Sequence, residues 1–295
     1  MRGKWFAKVI VLIFSSVCFY PGCILADEVQ EEKNVFLEMD FDYTSGDYGG
    51  DVTTDAYIYT FIIGGYPSPR TDIHVSIPYV FQNNSLATSS GNIHFGTQDS
   101  SVSTMAGTGS GSGSGTGGTG TTTDPAATLA ASQDSQSGLG DIALSLGYIV
   151  QFEGAYVPQT RIYVEGQVPT GDEDKGLGTG TYAIKGGVEL FKWVGHLTIF
   201  GNGAYTYQEE DSDFGLKSYL SYEAGLGYWV TDRLRPGFSL WGATEPADGA
   251  GELLEAKATL DYRTSVDSNL GLYFMKGLAT SSPDYGAGCF IYWNF

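Results

Sequence analysis

Residues 161–190, RIYVEGQVPTGDEDKGLGTGTYAIKGGVEL, read as two amphipathic strands joined by an acidic, glycine-rich loop. In the first arm Ile162, Val164 and Val168 share one face, and Arg161, Tyr163, Glu165 and Gln167 share the other. In the second arm Tyr182, Ile184, Val188 and Leu190 alternate with Thr181, Ala183, Lys185, Gly187 and Glu189. Strict alternation is the period of a β-strand, whose successive side chains point to opposite faces. A soluble sheet can alternate as well. Here most of the chain repeats the same unit, and the apolar face often carries aromatics, which suits a wall standing in lipid.

Working outward, the same pattern marks strands over residues 34–44, 53–64, 71–81 and 140–152 before this hairpin. After it come 196–208, 216–230, 234–243, 254–263, 268–278 and 285–295. Residues 66–70, 192–195 and 231–233 are short turns; prolines at 67 and 69 cannot continue a ladder. The expected fold is all-β: a transmembrane antiparallel up-and-down barrel of about 12 strands, an even number that returns both ends to one side. Alternate connections are long, acidic or glycine-rich, and the others are short, as in outer-membrane barrels with long external loops and short periplasmic turns. Residues 83–137 form a long low-complexity external loop, almost wholly Gly, Ser and Thr between 107 and 123. Such composition offers no apolar surface to offset ordering entropy and predicts disorder.

Residues 1–26 read as a signal peptide, with Arg2, Lys4 and Lys8 before a short apolar core and Ile24-Leu25-Ala26 ahead of the cut. Lipoprotein processing at Cys23 is the rival, but Tyr20-Pro21-Gly22 is a poor lipobox. Residues 27–295 are then the barrel. Cys18 and Cys23 lie in the signal, which leaves Cys289 with no intrachain disulfide partner. No later stretch reaches the ~20 apolar residues of a membrane helix. The expected location is the outer membrane of a Gram-negative cell. The net charge of −19 argues against nucleic acid as a partner. The chain ends in Trp293-Asn294-Phe295, which looks like the terminal signal read by outer-membrane assembly machinery.

If the apolar faces meet lipid, the opposite faces fill the lumen, because a charge near the bilayer midplane costs about 2–4 kcal/mol. The inward set is Glu38, Asp40, Asp42, Asp72, Glu153, Arg161, Glu165, Lys185, Glu189, Glu223, Arg235, Glu255, Lys257, Asp261 and Arg263. Read structurally, these brace the wall across strands. Read functionally, they line a polar route. Tyr163, Tyr205 and Tyr207 are the expected aromatic contacts for a passing molecule.

Catalytic and metal signals are weak. Asp72, His74 and Ser76 share a strand face, but residues two apart on a strand stand about 6.6–7 Å apart, beyond a nucleophile–base contact. Asp172-Glu173-Asp174-Lys175-Gly176 imitates part of a calcium loop, yet Ala183 stands where the bidentate Glu belongs. Gly176, Gly178 and Gly180 make no nucleotide fingerprint. The expectation is no enzyme activity, no cofactor and no metal.

Residues 168–180, VPTGDEDKGLGTG, preceded by SGLGDI at 137–142, resemble the outer-membrane family of the meta-pathway of phenol degradation. The motif residues are Pro169, Thr170, Gly171, Asp172, Asp174, Gly176, Gly178 and Gly180, and residues 83–136 depart from the family as a long insertion. The resemblance implies a barrel that passes hydrophobic or aromatic compounds. The reading is therefore a channel or transporter embedded in the lipid bilayer, for passive passage of small-molecule solutes. The alternative is an adhesin-like surface protein that acts through its external loops; trimming residues 107–123 separates the two.

Overall fold

The computed structural model describes residues 34–48, 52–84, 87–90, 93–96, 134–209 and 215–295, with backbone alone for 89–90 and 93–96. The expected signal peptide with Cys18 and Cys23, the Gly/Ser/Thr tract and residues 210–213 of the acidic loop lie outside the described residues. The strands are β1 Val35–Gly46, β2 Thr54–Ser68, β3 Thr71–Gln82, β4 Ala87–Ser90, β5 Ile93–Gly96, β6 Gln136–Leu139, β7 Ile142–Gln151 and β8 Gln159–Val168. They continue with β9 Ala183–Val194, β10 Leu197–Gln208, β11 Tyr219–Tyr228, β12 Leu234–Ala243, β13 Leu253–Arg263, β14 Ser268–Gly277 and β15 Tyr285–Asn294. β4 and β5 form a separate two-stranded ribbon. β6 and β7 both pair with β3 and make one wall strand broken at Gly140-Asp141. The rest pair in chain order, and β15 returns to β1. The result is a closed 12-strand antiparallel barrel. Closure matters because lipid offers no partner to an unpaired backbone amide.

Alternation decides which face each residue takes. On β8, Ile162, Val164 and Val168 are exposed while Arg161 and Tyr163 are buried. Outward aromatics gather at both ends of the wall. Tyr57, Tyr59, Phe81, Tyr207, Tyr222 and Tyr285 stand near the long-loop end, and Tyr148, Tyr228, Tyr262 and Trp293 near the short-turn end. Ile63, Leu146, Val164, Leu226, Leu240 and Leu272 lie between them. An apolar band flanked by aromatic girdles is the outer face of a membrane barrel. Among the described residues no helix is long and apolar enough to cross a membrane.

The inner face is crowded, and glycine makes it fit. A β-carbon at Gly271 would overlap the Phe290 ring, one at Gly288 the Tyr273 ring, one at Gly187 the Tyr163 ring and one at Gly225 the Phe200 ring. In each pair the large residue sits directly opposite the glycine or diagonal to it on the neighbouring strand. Each inward ring therefore lies flat over a missing side chain, which partly accounts for the 42 glycines. Phe36 stacks on Tyr292 at 5.5 Å, and the Tyr66 and Tyr292 hydroxyls meet at 2.9 Å, packing one side of the short-turn end. Trp193 and Trp229 stack at 6.2 Å on another side.

Several boundaries depart from expectation. β2 runs through Pro67 to Ser68 with a register shift after Gly65, so the turn shrinks to residues 69–70. β9 continues to Val194, and the turn is made by Gly195, whose φ of 64° is a left-handed conformation that glycine adopts without strain. β11 begins at Tyr219 rather than 216, because Leu216 bridges to Ala247 and joins a small core with Tyr219 and Leu253 at the long-loop mouth. The region expected to be entirely loop, 83–137, contains the β4–β5 ribbon and the start of β6.

Replacing Gly271 with alanine should lower stability by about 1–3 kcal/mol, since the added methyl must displace Phe290. Urea unfolding followed by heat-modifiable gel migration measures this, and Phe290→Leu in the same chain should recover part of the loss. An unchanged midpoint in G271A would show that the ring is free to move aside.

Candidate functional site

The lumen collects the charges that alternation turns away from lipid. Arg161 on β8 donates from Nε to Asp72 on β3 at 2.9 Å, from Nη2 to the same carboxylate at 2.5 Å, and from Nη1 to Glu189 on β9 at 2.9 Å. Its guanidinium passes over Gly147 on β7, where any side chain would overlap it. One arginine thus spans β3, β7, β8 and β9, and Arg161, Asp72 and Glu189 are all buried. Arg235 holds Asp261 in the same manner, with Nε at 3.0 Å and Nη2 at 2.6 Å from Oδ2. Its guanidinium lies 5.4 Å from the Trp229 ring, and that of Arg263 lies 4.9 Å from it. Fixed, fully desolvated arginine pairs of this kind hold geometry.

A second group keeps some exposure. Lys185 meets Glu165 at 3.4 Å, with side chains 23% and 14% exposed. Lys257 stands 3.9 Å from Glu255 and 5.5 Å from the Tyr273 ring, and the Tyr273 hydroxyl donates to Asp42 at 2.5 Å. Tyr163 leans over Gly187 to Asn202 at 3.4 Å. Glu38, Asp40 and Glu223 are buried on the same inner surface. The charges expected in the lumen, and Tyr163, are therefore buried or half-buried on the inner face, except Glu153, which lies in the connection between β7 and β8 and pairs with Lys192 at 2.9 Å. Tyr205 and Tyr207 are not. They are 50% and 62% exposed, because Ala204, Thr206 and Gln208 take the inward positions of β10; both belong to the outer surface.

The motif loop between β8 and β9 is folded down onto the break in the wall. Asp141 is its anchor. Oδ1 accepts the Gly171 N–H at 2.9 Å, and Oδ2 accepts the Thr179 N–H at 2.8 Å, the Thr179 hydroxyl at 3.0 Å and the Gln167 side-chain amide at 2.8 Å. Thr170 fills the gap in the ladder: its hydroxyl donates to the Gly140 carbonyl at 2.7 Å and accepts the Ile142 N–H at 2.9 Å. Leu177 is buried against Gly138 and Gly140, and Gly178 lies so close to Asp141 that a side chain there would overlap the carboxylate. Thr88 and Gln82 tie the same loop to the ribbon side through the Gly178 and Lys175 carbonyls, at 2.9 and 3.0 Å. Gly176 and Gly180 have φ of 68° and 69°, which the tight path requires. Pro169 precedes this knot, between the end of β8 and Thr170.

The acidic residues of the loop take a different part. Asp172 pairs with Lys175 at 2.5 Å, and Glu173, Asp174 and Lys175 form an exposed turn of 3-10 helix. The Asp172 hydrogen bond holds the Lys175 ammonium above its usual pKa. These carboxylates are solvated loop charge rather than a gathered cation site, and among the described residues no cluster of potential metal ligands occurs. Asp72 is committed to Arg161, and both ring nitrogens of the buried His74 lack hydrogen-bond partners, so the strand carrying Asp72, His74 and Ser76 holds no nucleophile–base relay. The anchoring role of Asp141 and Thr179 was not signalled by spacing, since their partners come from across the loop.

The family described as "Putative MetA-pathway of phenol degradation" matches residues 40–295. No curated protein matches the chain. Among solved structures, the COG4313 outer membrane channel from Pseudomonas putida F1 superposes with a TM-score of 0.63 at 14% identity, over 94% of this chain and 99% of that one. The KdgM porin superposes with a TM-score of 0.50 at 5% identity, over 88% of this chain and 99% of that one. At these identities the likeness is one of fold: a closed barrel.

Replacing Asp141 with asparagine puts an amide where donors converge and should cost about 1–3 kcal/mol locally. The expected result is faster trypsin cleavage after the exposed Lys175 with the barrel still heat-modifiable. Cleavage at the wild-type rate would show that the carboxylate does not hold the loop.

Proposed function

This chain belongs to that phenol-degradation family, and on this premise we propose that it is an outer-membrane channel for the passive passage of small molecules, hydrophobic or aromatic compounds among them. The observation that carries the reading is the closed wall itself, apolar and aromatic-girdled outside and lined with charge inside. A protein that only needed a stable surface would gain nothing from placing so many carboxylates and ammonium groups in the lumen, where desolvation is costly. The channel structures with the same fold support this direction.

Exposure sorts the lumen residues into two roles. Arg161, Asp72, Glu189, Arg235 and Asp261 are buried and mutually paired, and brace the wall. Asp42, Glu165, Lys185 and Lys257, which keep contact with solvent, are the residues a passing solute meets, with Tyr163 beside them. The reading is of a channel without an enzyme activity, supported by the lack of a relay around His74. The long loops face the outside and the short turns the periplasm. Residues 1–26 direct export.

Assembly follows the same logic. Phe295 donates its N–H to the Val35 carbonyl at 2.7 Å, so the terminal residue sits on the seam where the barrel closes. Its ring is 62% exposed and available to the assembly machinery. Deleting Phe295 should reduce the outer-membrane fraction in cells several-fold, and an unchanged level on fractionation would remove this role. Refolded mature protein in a planar bilayer should give steady single-channel current, and in liposomes should speed the entry of phenol. Silence in both assays, with folding confirmed by heat-modifiable migration, would sink the channel reading.

A further inference from the structure

The charged lumen is unevenly balanced. Lys257 on β13 stands 3.9 Å from Glu255 on its own strand and faces the Tyr273 ring, whose hydroxyl donates to Asp42 on β1, while Glu223 on β11 lies on the inner face two strands away. Asp40 precedes Asp42 on the same inward face of β1, with Glu38 next along that face. Among the described residues no ion pair is formed by Asp40, Asp42 or Glu223, and Lys257 is the cation paired with Glu255. This is a local excess of negative charge in the middle of the wall.

What separates these acids from the bracing pairs is that no arginine holds them; single unpartnered oxygens occur in both groups, on Glu189 and Asp261 as well. Asp40 is 7% exposed and Glu223 8% exposed, yet Asp40 Oδ1 and Glu223 Oε1 have no hydrogen-bond partner. Arginine absorbs the charge of Asp72 and Asp261 elsewhere in the lumen. Here carboxylate oxygens stand ready to accept a hydrogen bond or a positive charge from something else. A narrow passage with low-dielectric walls focuses the field of such groups and sets which ions enter.

We propose that Asp40, Asp42 and Glu223 are the selectivity-determining residues of the lumen, and that they admit neutral and positively charged small solutes while rejecting anions. The inference rests on the channel reading above. It narrows the solute class: a neutral phenol or an aromatic ammonium passes, and a phenolate or aromatic carboxylate is held back. Tyr273, whose ring faces Lys257 and whose hydroxyl binds Asp42, gives the same place an aromatic surface. An organic cation can meet both the carboxylates and the ring there.

The test is the reversal potential of the refolded mature protein in a potassium chloride gradient at neutral pH. Potassium should be favoured over chloride by roughly fivefold or more, as for pores ringed by acidic side chains. The D40N/D42N/E223Q variant should bring the ratio to about one, whereas K257Q should raise it, because it removes the opposing charge. Heat-modifiable migration confirms that each variant is folded. Liposome flux of benzylammonium and benzoate, with phenol as the neutral control, gives the same comparison for aromatic solutes. A conducting channel that favours chloride, or whose ratio is untouched by both substitutions, overturns the inference and leaves the channel standing. Equal flux of the two aromatic ions beside rapid phenol entry does the same. A bilayer with no current and liposomes with no phenol entry fail the channel reading, and this inference with it.

Discussion

A strand in lipid must find partners for all of its backbone amides, and it can find them only in neighbouring strands. Everything else in this molecule follows from that requirement. Closure of β15 on β1 satisfies the ladder and leaves two surfaces, one wetted by hydrocarbon and one enclosed. Alternation then sends each side chain to one surface or the other with no intermediate choice. Polar residues that would be scattered over a soluble protein are concentrated in a narrow lumen. The crowding is relieved by subtraction: glycines at 147, 187, 225, 271 and 288 remove side chains where arginine, tyrosine and phenylalanine need to lie.

Enclosed charge must be compensated, and the chain uses two solutions. Where arginine is available, it reaches across strands and locks two carboxylates at once, as Arg161 does. Breaking such a pair on one side typically costs about 3–5 kcal/mol, because the partner is left charged and desolvated. Where only Lys257 is available, compensation is partial and side chains keep contact with solvent. Rigid bracing and contact with solvent thus occupy different sectors of one wall. The motif loop belongs to the rigid part. Its glycines and threonines are fixed by one carboxylate at the break between β6 and β7, so the motif residues of this chain close a gap in the wall.

Features set by periodicity were legible in the sequence. Glu38, Lys185, Glu189 and Asp261 could be turned inward without knowing their neighbours, because the period of two is intrinsic to each strand. Tyr205 and Tyr207 were misplaced when aromatic character was weighed above register; Ala204, Thr206 and Gln208 already marked the other face of that strand as inward. What was illegible depends on register between strands. Phe290 needs Gly271 opposite, but nothing local to either residue states the pairing. Asp141 takes its donors from residues 26 to 38 positions further along, and its capacity as an acceptor becomes visible only when the loop is folded back. β6 was hidden because Gln136, Ser137 and Gly138 carry no strand-like pattern.

The seam between β1 and β15 pairs residues from opposite ends of the barrel, Phe36 with Asn294 and Leu37 with Trp293. Such a contact has the greatest sequence separation the barrel contains, and loop-closure entropy opposes it until nearly all other strands have paired. Until then two edges are open, each a template for pairing with another chain. The interval between export and closure is therefore the hazardous part of this protein's life, and its survival then is governed by how fast the edges are sheltered. Once shut, the wall has no open strand edge at which unravelling can start, and the seam's ladder must break along its length before any strand is freed.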